Sequence, residues 1–430
     1  MRFDKPVLLY GAGREGRSTR AFLAEVAPDT KVFVTSDDGS ASIEGAEPIA
    51  PDALPAAINA GKFGLIVKSP GVSLYKPVFE RARQAGIPIS SNLNLWANHF
   101  REHCTLIAIT GTKGKSTTAT LTHLMLKKSG LDVGLAGNVG LAPLDIRNKH
   151  KIVVLELSSY QTADMNFAPD YAGFTNLYPE HIDWHGSIDR YFNDKLNLLR
   201  QAGNYPIFLG PQAAGHRLIN ASVSNMDRIF PPLKNEYYEA LRTAISTSAL
   251  KGAHNLENAG LAAQLAMAVG AKIEHVIEGI QAFRPLPHRL DEKRIGNKLF
   301  IDDSISTTPV ATLAALSAYP DQRIALIAGG YDRQQDWADL LDHLPQGDVV
   351  TLVCLPETGK RLAGAARAVA PDIDIIEVDT LELGMEALAT KSTDFDTVIL
   401  SPGAPSYNQY KNFEQRGAAF IGLAITLFTN

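Results

Sequence analysis

Residues 111–117 read Gly111-Thr112-Lys113-Gly114-Lys115-Ser116-Thr117, between an apolar run at 106–110 and a helical stretch reaching about Ser129. A strand that ends in a glycine turn and continues as a helix is the repeating unit of a parallel α/β sheet. Phosphate binding needs backbone N–H groups that converge on an anion, glycines that let it approach, a lysine charge and a hydroxyl for Mg²⁺. All four are present here. The full phosphate-loop pattern wants glycine five positions before Gly114, where this chain has Ile109, so the motif is a shortened variant. The bland alternative, a glycine-rich turn that happens to precede a lysine, leaves the strand–loop–helix setting unexplained.

Upstream, a strand at 7–10 runs into Gly11-Ala12-Gly13-Arg14-Glu15-Gly16, with a helix expected from Ser18. Strands at 31–34 and 65–67 end at Thr35-Ser36-Asp37-Asp38 and Lys68-Ser69-Pro70-Gly71, and the unit closes near 92–100. The glycine spacing, with acids about 20 residues on, fits the dinucleotide fingerprint. Alone it points to a nicotinamide-dependent oxidoreductase. With a triphosphate loop 100 residues later, the same turn suits the diphosphate of a nucleotide-linked substrate, or is simply a tight strand-to-helix turn.

Downstream, Glu156-Leu157-Ser158-Ser159-Tyr160-Gln161 follows a strand at 152–155. A carboxylate at that end, beside a phosphate loop, is where a second Mg²⁺ ligand belongs, and a solvent-facing strand end is the alternative. Glu180-His181-Ile182-Asp183 lies past a strand at 172–175, with His185 close by; another strand is expected at 206–209. Alone, His181 reads as a hydrogen-bonded structural histidine; beside Mg²⁺-phosphate machinery it reads as a metal ligand. Lys195, in a helical stretch at 191–199, reads alone as a surface lysine. Asn255 and Asn258, three apart where a helix over 255–269 begins, could share a face and read adenine, or Asn255 caps the helix. A helix at 273–283 follows, and Pro285-Leu286-Pro287 reads as a linker. Arg289 is then a fixed charge at a domain joint or a surface arginine.

The third stretch alternates strands at 298–301, 324–328, 349–353, 373–378 and 398–400 with helices at 309–318, 360–368 and from Phe413. Thr308 caps the first of these helices and Pro309 opens it. Asp302-Asp303-Ser304-Ile305-Ser306-Thr307-Thr308, Gly329-Gly330-Tyr331-Asp332-Arg333 and Ser401-Pro402-Gly403-Ala404-Pro405-Ser406 each follow a strand. Ligand crevices of open α/β sheets lie there. Hydroxyls and an arginine suit a small anionic substrate; caps and turns explain each segment singly.

Composition frames these motifs. At roughly 150 residues per domain, 430 residues predict three domains, with boundaries at 1–97, 98–287 and 288–430. A net charge of −5 and a pI of about 6.1 exclude a generally basic nucleic-acid binder. Two distant cysteines, Cys104 and Cys354, exclude a disulfide scaffold and a cysteine metal cluster. No signal peptide and no apolar run near the roughly 18 residues of a bilayer span are visible. A cytoplasmic, monomeric protein without membrane insertion is the expectation.

Together the segments GTKGKST (111–117), ELSSYQ (156–161), EHID (180–183), HNLEN (254–258), LPHR (286–289) and YKNFEQRG (410–417), with SPG (69–71) and GNVG (137–140), closely resemble the Mur ligase family. The family joins amino acids to peptidoglycan precursors at the expense of ATP, and the matches cover essentially the whole chain. The C-terminal SPGAPSYNQYKNFEQRG is most similar to members that add glutamate to UDP-N-acetylmuramoyl-L-alanine. The resemblance implies three domains: a Rossmann-like N-terminal domain, a central P-loop ATPase-type domain with a mostly parallel sheet, and a C-terminal Rossmann-like α/β domain. They would hold the UDP substrate, ATP with Mg²⁺, and the incoming amino acid.

Residue by residue, Gly111, Thr112, Lys113, Gly114, Lys115, Ser116 and Thr117 would cradle ATP, with Asn258, Arg289 and Asp303 also touching it. Ser116, Glu156 and His181 would hold Mg²⁺, and Lys195, if carbamylated, would bridge metal. Lys115, Glu156, His181 and Lys195 are thus the expected catalytic set. Gly13, Arg14, Glu15, Gly16, Thr35, Ser36, Ser69, Asn138 and Gln161 would line the UDP-substrate site. Thr307, Arg333, Ser406, Tyr407 and Phe413 would meet glutamate. The better-known D-glutamate-adding members have lysine where Ile305 and Arg333 stand and Ala-Cys-Ala in place of Gly403-Ala404-Pro405. Glu180 and Lys113 replace aspartate and asparagine. D-glutamate is the default expectation, and a branch adding L-glutamate stays open.

Overall fold

The protein is described by a computed structural model covering residues 3–250, 252, 254–284, 287–346 and 348–429. Most of the expected linker, Pro285 and Leu286, lies outside the described residues. The chain forms two compact units: Met1–Ser248 with His254–Phe283, and Ala249–Ala253 with Arg284–Asn430.

The first unit holds two sheets. β1 (Val7–Tyr10), β2 (Val32–Thr35), β3 (Glu47–Pro48), β4 (Leu65–Lys68) and β5 (Ile89–Ser91) pair in the order β3-β2-β1-β4-β5. β6 (Thr105–Thr110), β7 (Val133–Gly137), β8 (Ile152–Glu156), β9 (Tyr171–Phe174), β10 (Ile207–Leu209) and β11 (Ile229–Phe230) follow in the order β11-β10-β9-β6-β8-β7. All pairs in both sheets are parallel. The uninterrupted apolar runs of β1, β4, β6 and β8 follow from this, because a parallel strand is covered on both faces. In each sheet the connections turn from one side of the first strand to the other, at β1/β4 and at β6/β9, where open α/β sheets carry their ligand crevices. One apolar core, including Trp96, Leu144 and Tyr191, runs continuously between the two sheets.

Two local expectations change. The first helix begins at Arg14, not Ser18, and spans Arg14–Val26. Gly13 is its N-cap and Glu15 lies in its first turn, where a carboxylate complements the helix dipole. Asn255 is not a cap, because the helix His254–Ala268 already contains it.

The second unit holds β12 (Asp291–Ile295), β13 (Lys298–Asp302), β14 (Ile324–Gly329), β15 (Val349–Leu355), β16 (Asp374–Glu377) and β17 (Thr397–Leu400), in the order β12-β13-β17-β14-β15-β16. Only the edge pair β12–β13 is antiparallel. Sequence patterning did not mark β12, whose Asp-Glu-Lys-Arg-Ile lacks both apolar alternation and β-branched residues until its end. Separate apolar layers cover the two faces, one around Leu326, Leu362 and Trp337 and the other around Phe300, Phe395 and Phe420. Pro309 opens the helix Pro309–Ser317 as expected, but Thr308 caps it through its extended backbone alone, its hydroxyl buried without a partner. Among the described residues, no helix is long and apolar enough to cross a membrane.

Candidate active site

β6 delivers the chain into the Gly111–Gly114 loop and the helix Lys115–Lys128 carries it away. Gly111 and Gly114 adopt φ of +142° and +79°. A Cβ on Gly111 would stand 1.8 Å from Thr175 Oγ1, and one on Gly114 would stand 2.1 Å from Asn258 Oδ1. Glycine is therefore required twice over, by conformation and by space. The loop is held from behind. Thr112 N donates to Asn176 O (2.9 Å), Lys113 N to Asn176 Oδ1 (2.8 Å), and Thr175 Oγ1 to Lys113 O (2.6 Å). Lys115 Nζ donates to Thr112 O (2.8 Å), so its ammonium lies against the loop it serves. Ser116 and Thr117 open the helix and are nearly buried.

Glu156 ends β8 fully buried. Its Oε1 accepts from Asn138 Nδ2 (3.0 Å), while Oε2 has no hydrogen-bond partner. An orphaned, buried carboxylate oxygen fits a cation ligand, since burial without compensation is costly. Lys113 Nζ pairs with Glu180, the residue before His181. His181 adopts φ 55° and heads the short helix Ile182–His185. Burial, with help from the Lys115, Lys195 and Lys113 charges, pulls its imidazole down to about 4, so at neutral pH its ring is uncharged, the form that ligates metal. Lys195 is a core residue rather than a surface one: Nζ is buried and donates to Gly111 O (2.7 Å). Burial and the neighbouring Lys115 charge hold its pKa well below the ordinary lysine value. Asn258 Nδ2 donates to Asn255 Oδ1 (2.9 Å), so this pair serves itself while Asn258 backs Gly114. Among the described residues, no three His, Cys, Asp or Glu side chains are gathered as a ready metal cage.

The first sheet meets this centre through the expected UDP-site residues. Arg14 donates to the carbonyls of Gly137 (2.6 Å), Asn138 (3.2 Å) and Gly140 (2.9 Å), clamping the 137–140 loop. Gln161 completes a capping box with Ser158, and its Nε2 donates to Glu15 Oε1 (2.7 Å). Glu15 is buried, its Oε2 lacks a partner, and burial raises its carboxyl to about 7. Gly16 lets the helix approach, since a Cβ there would lie 2.2 Å from Gly11 O. Gly13 is open, Ser69 Oγ donates to Gly11 O (3.2 Å), and buried Thr35 Oγ1 has no partner. Ser36 Oγ donates to Asp38, which also accepts from Ser40, while Asp37 accepts from Tyr10 OH (2.6 Å) and pairs with Lys76 (2.9 Å). The acids that a nicotinamide ribose would need are thus already engaged within the protein.

In the second unit Asp303 is buried and accepts from Ser306 and Ser401 hydroxyls and from Leu290 N; burial raises its carboxyl to about 6. Arg289 Nε is buried without a hydrogen-bond partner. Ser406 is buried, Thr307 and Phe413 are half-buried, and Arg333 and Tyr407 are exposed. The Arg333 guanidinium stands 5.7 Å from the Tyr407 ring centre. Sequence spacing alone gives Arg416 no role. It is 1% exposed and donates to Ser304 Oγ (3.0 Å), Ser304 O (2.9 Å) and Ala404 O (3.1 Å), tying together two of the loops at the strand ends. Lys68 and Asp164, buried 3.6 Å apart in the first unit, were likewise unforeseen. Arg416 and Lys68 lie in segments quoted above, but nothing local ties Arg416 to Ser304 or Lys68 to Asp164, because these partners lie far away in sequence.

Comparison with known proteins places the chain by sequence and by fold. Residues 109–266 match the family described as Mur ligase middle domain. A UDP-N-acetylmuramoyl-L-alanine--L-glutamate ligase of Xanthomonas oryzae pv. oryzae is 33% identical, over 98% of this chain and 95% of the relative. A UDP-N-acetylmuramoylalanine--D-glutamate ligase of Geobacillus kaustophilus is 31% identical, over 96% of each. By fold, the chain is similar to UDP-N-acetylmuramate-alanine ligase of Thermotoga maritima (TM-score 0.61, 18% identity, 97% of this chain and 98% of that one). It is also similar to the MurF ligase of Thermotoga maritima in complex with ADP (TM-score 0.57, 15% identity, 88% and 91%). The oxidoreductase alternative built on Gly11–Gly16 finds no support in these comparisons. With 33% identity sustained over nearly its whole length, the chain belongs to the Mur ligase family of ATP-dependent, amide-bond-forming ligases.

Proposed function

We propose that this enzyme joins L-glutamate to UDP-N-acetylmuramoyl-L-alanine, releasing ADP and phosphate. One observation carries the choice of isomer. Ile305 occupies the place of a lysine in the D-glutamate-adding members, and the relatives at 32–34% identity bear L-glutamate names. A lysine ammonium fixes one carboxylate of a dicarboxylic amino acid, and its loss changes how the two carboxylates are oriented. D-glutamate, the default from sequence alone, is the second reading, favoured by the Geobacillus relative.

The chemistry follows from the residues. The substrate carboxylate attacks the γ-phosphorus of ATP and gives an acyl phosphate and ADP. The glutamate amine attacks the acyl carbon, and the tetrahedral intermediate expels phosphate. Two anions meet in the first step, so positive charge and oriented N–H groups carry much of the barrier. The loop 111–117 supplies backbone donors, and Lys115 exchanges its Thr112 carbonyl for phosphate oxygens. Mg²⁺, when bound, neutralises phosphate charge. Glu156 Oε2 and the neutral His181 ring would hold it together with the Ser116 hydroxyl. Lys195, whose burial beside the Lys115 charge disfavours the protonated amine, is suited to carbamylation, which would place a carboxylate beside Gly111. Arg14, Glu15 and Gln161 would orient the UDP substrate, with Gly13, Gly16, Thr35, Ser36, Ser69 and Asn138 lining it. Thr307, Arg333, Ser406, Tyr407 and Phe413 would receive glutamate.

The test is phosphate release from ATP and Mg²⁺ with UDP-N-acetylmuramoyl-L-alanine and each glutamate isomer. Release with L-glutamate alone is the expected outcome. Release with D-glutamate alone reverses the isomer, and release with neither overturns the glutamate assignment.

A further inference from the structure

Four polar side chains of the first unit form an unbroken line that the proposed reaction does not use. Tyr75 OH donates to Asp194 Oδ1 (2.6 Å). Asp194 Oδ2 and His185 Nδ1 lie 2.6 Å apart, and His185 Nε2 lies 3.0 Å from Ser159 Oγ. An ionised carboxylate only accepts, so Nδ1 carries the proton, and Nε2 accepts from the serine. The spacing is that of a Ser-His-Asp hydrolase triad. Ser159, however, is 2% exposed at the first position of the helix Ser159–Thr162, and His185 is 0% exposed, so no substrate carbonyl can reach the hydroxyl. The line serves position rather than nucleophilic attack.

Its ends show what it positions. Tyr75 lies on the loop that leaves β4 through Ser69-Pro70-Gly71, on the edge of the expected UDP-substrate crevice. The same loop docks on the helix Ile182–His185 by two further bonds, Ser73 Oγ to Trp184 O (2.6 Å) and Trp184 Nε1 to Pro70 O (3.1 Å). At the other end every member neighbours the nucleotide centre. Ser159 follows Glu156 by three residues, Asp194 precedes Lys195, and His185 closes the helix that begins beside His181.

We infer that Tyr75, Asp194, His185 and Ser159 are positioning residues that couple the UDP-substrate crevice to the nucleotide site. The inference rests on the ligase reading above. Tyr75 is the only member of the line with substantial exposure, at 38%. When the Tyr75 loop lifts, Asp194 Oδ1 exchanges the tyrosine donor for water, so the line has two arrangements, docked and open. A substrate that holds the loop down therefore also holds Asp194, His185 and Ser159, and with them the backbone that carries Lys195 and Glu156. Coupling of this kind is reciprocal, so nucleotide must tighten the UDP substrate by the same factor.

Titration calorimetry on the full chain tests this with ADP and Mg²⁺ as probe, with and without saturating UDP-N-acetylmuramoyl-L-alanine. In the wild type the UDP substrate should tighten ADP by about fivefold or more, the lower range of ordinary coupling. Tyr75→Phe removes one hydroxyl and keeps the ring. It should stay folded at the assay temperature and bind ADP alone with unchanged Kd, yet show coupling of about twofold or less. Tyr75→Phe that keeps the wild-type factor overturns the inference. So does a wild type that binds both ligands independently. A wild type that binds no ADP overturns the ligase reading, and this inference with it.

Discussion

Replacing Glu15 by glutamine should make the first unit less sensitive to pH, and the size of the effect can be worked out. Glu15 is buried, its Oε1 accepts from Gln161 and its Oε2 has no partner. Burial is the largest influence and raises the carboxyl from 4.5 to about 7, against the lowering effects of Gln161, Lys68 and Arg14. Below pH 4.5 both folded and unfolded chains hold the proton. As pH rises towards 7 the unfolded chain releases it first, so stability is lost across that window and the loss is complete above the folded value. Linkage gives a destabilisation of about 1 kcal/mol at pH 5 and about 3 kcal/mol at pH 8. Glutamine cannot ionise and still accepts from Gln161. Any cost of its unpartnered amide is independent of pH. The stability difference between Glu15→Gln and the parent should therefore move in favour of the variant by about 2 kcal/mol from pH 5 to pH 8. Urea unfolding in a Trp337→Phe background reports the first unit, because the remaining tryptophans, Trp96 and Trp184, both lie there. Parallel pH curves for the two proteins would refute the reasoning.

Further outcomes follow from the loops. Lys115→Ala should abolish most phosphate release while leaving circular dichroism and melting unchanged; normal turnover would contradict the charge-neutralising role. Gly114→Ala meets both a left-handed backbone and Asn258 Oδ1 at 2.1 Å, so ADP affinity should fall at least about tenfold, with roughly 1–3 kcal/mol of stability lost. Arg416→Lys keeps a charge but cannot serve Ser304 and Ala404 together. It should destabilise the second unit by about 2–4 kcal/mol and raise the KM for glutamate more than that for ATP, as read by denaturant unfolding and steady-state kinetics.

Which parts of this could be read in the sequence follows from the range of the interactions. The strand–Gly111–Gly114–helix unit was legible because its requirements are local: apolar run, glycines, lysine and hydroxyl are consecutive. The start of the first helix was misplaced because Gly13 as N-cap with Glu15 in the first turn is a weaker signal than the apolar spacing after Ser18. Lys195 reads as a surface residue because its burial comes from tertiary packing, with Nζ on Gly111 O, which local spacing does not encode. Arg416 and the Tyr75–Asp194–His185–Ser159 line were invisible because each bond joins residues separated by 9 to 119 positions. A window on the sequence spans His185–Asp194 but not Tyr75–Asp194, His185–Ser159 or Arg416–Ser304.

The edge strand β12 has a consequence for assembly. Its exposed Glu292, Lys293 and Arg294 are three consecutive charges of mixed sign along the outer border of the third sheet. A neighbouring molecule that tried to extend this sheet would have to strip water from those charges to reach the free backbone groups, so the border is closed to strand addition. The absence of apolar alternation that hid this strand from sequence patterning is also what disfavours strand addition along this border.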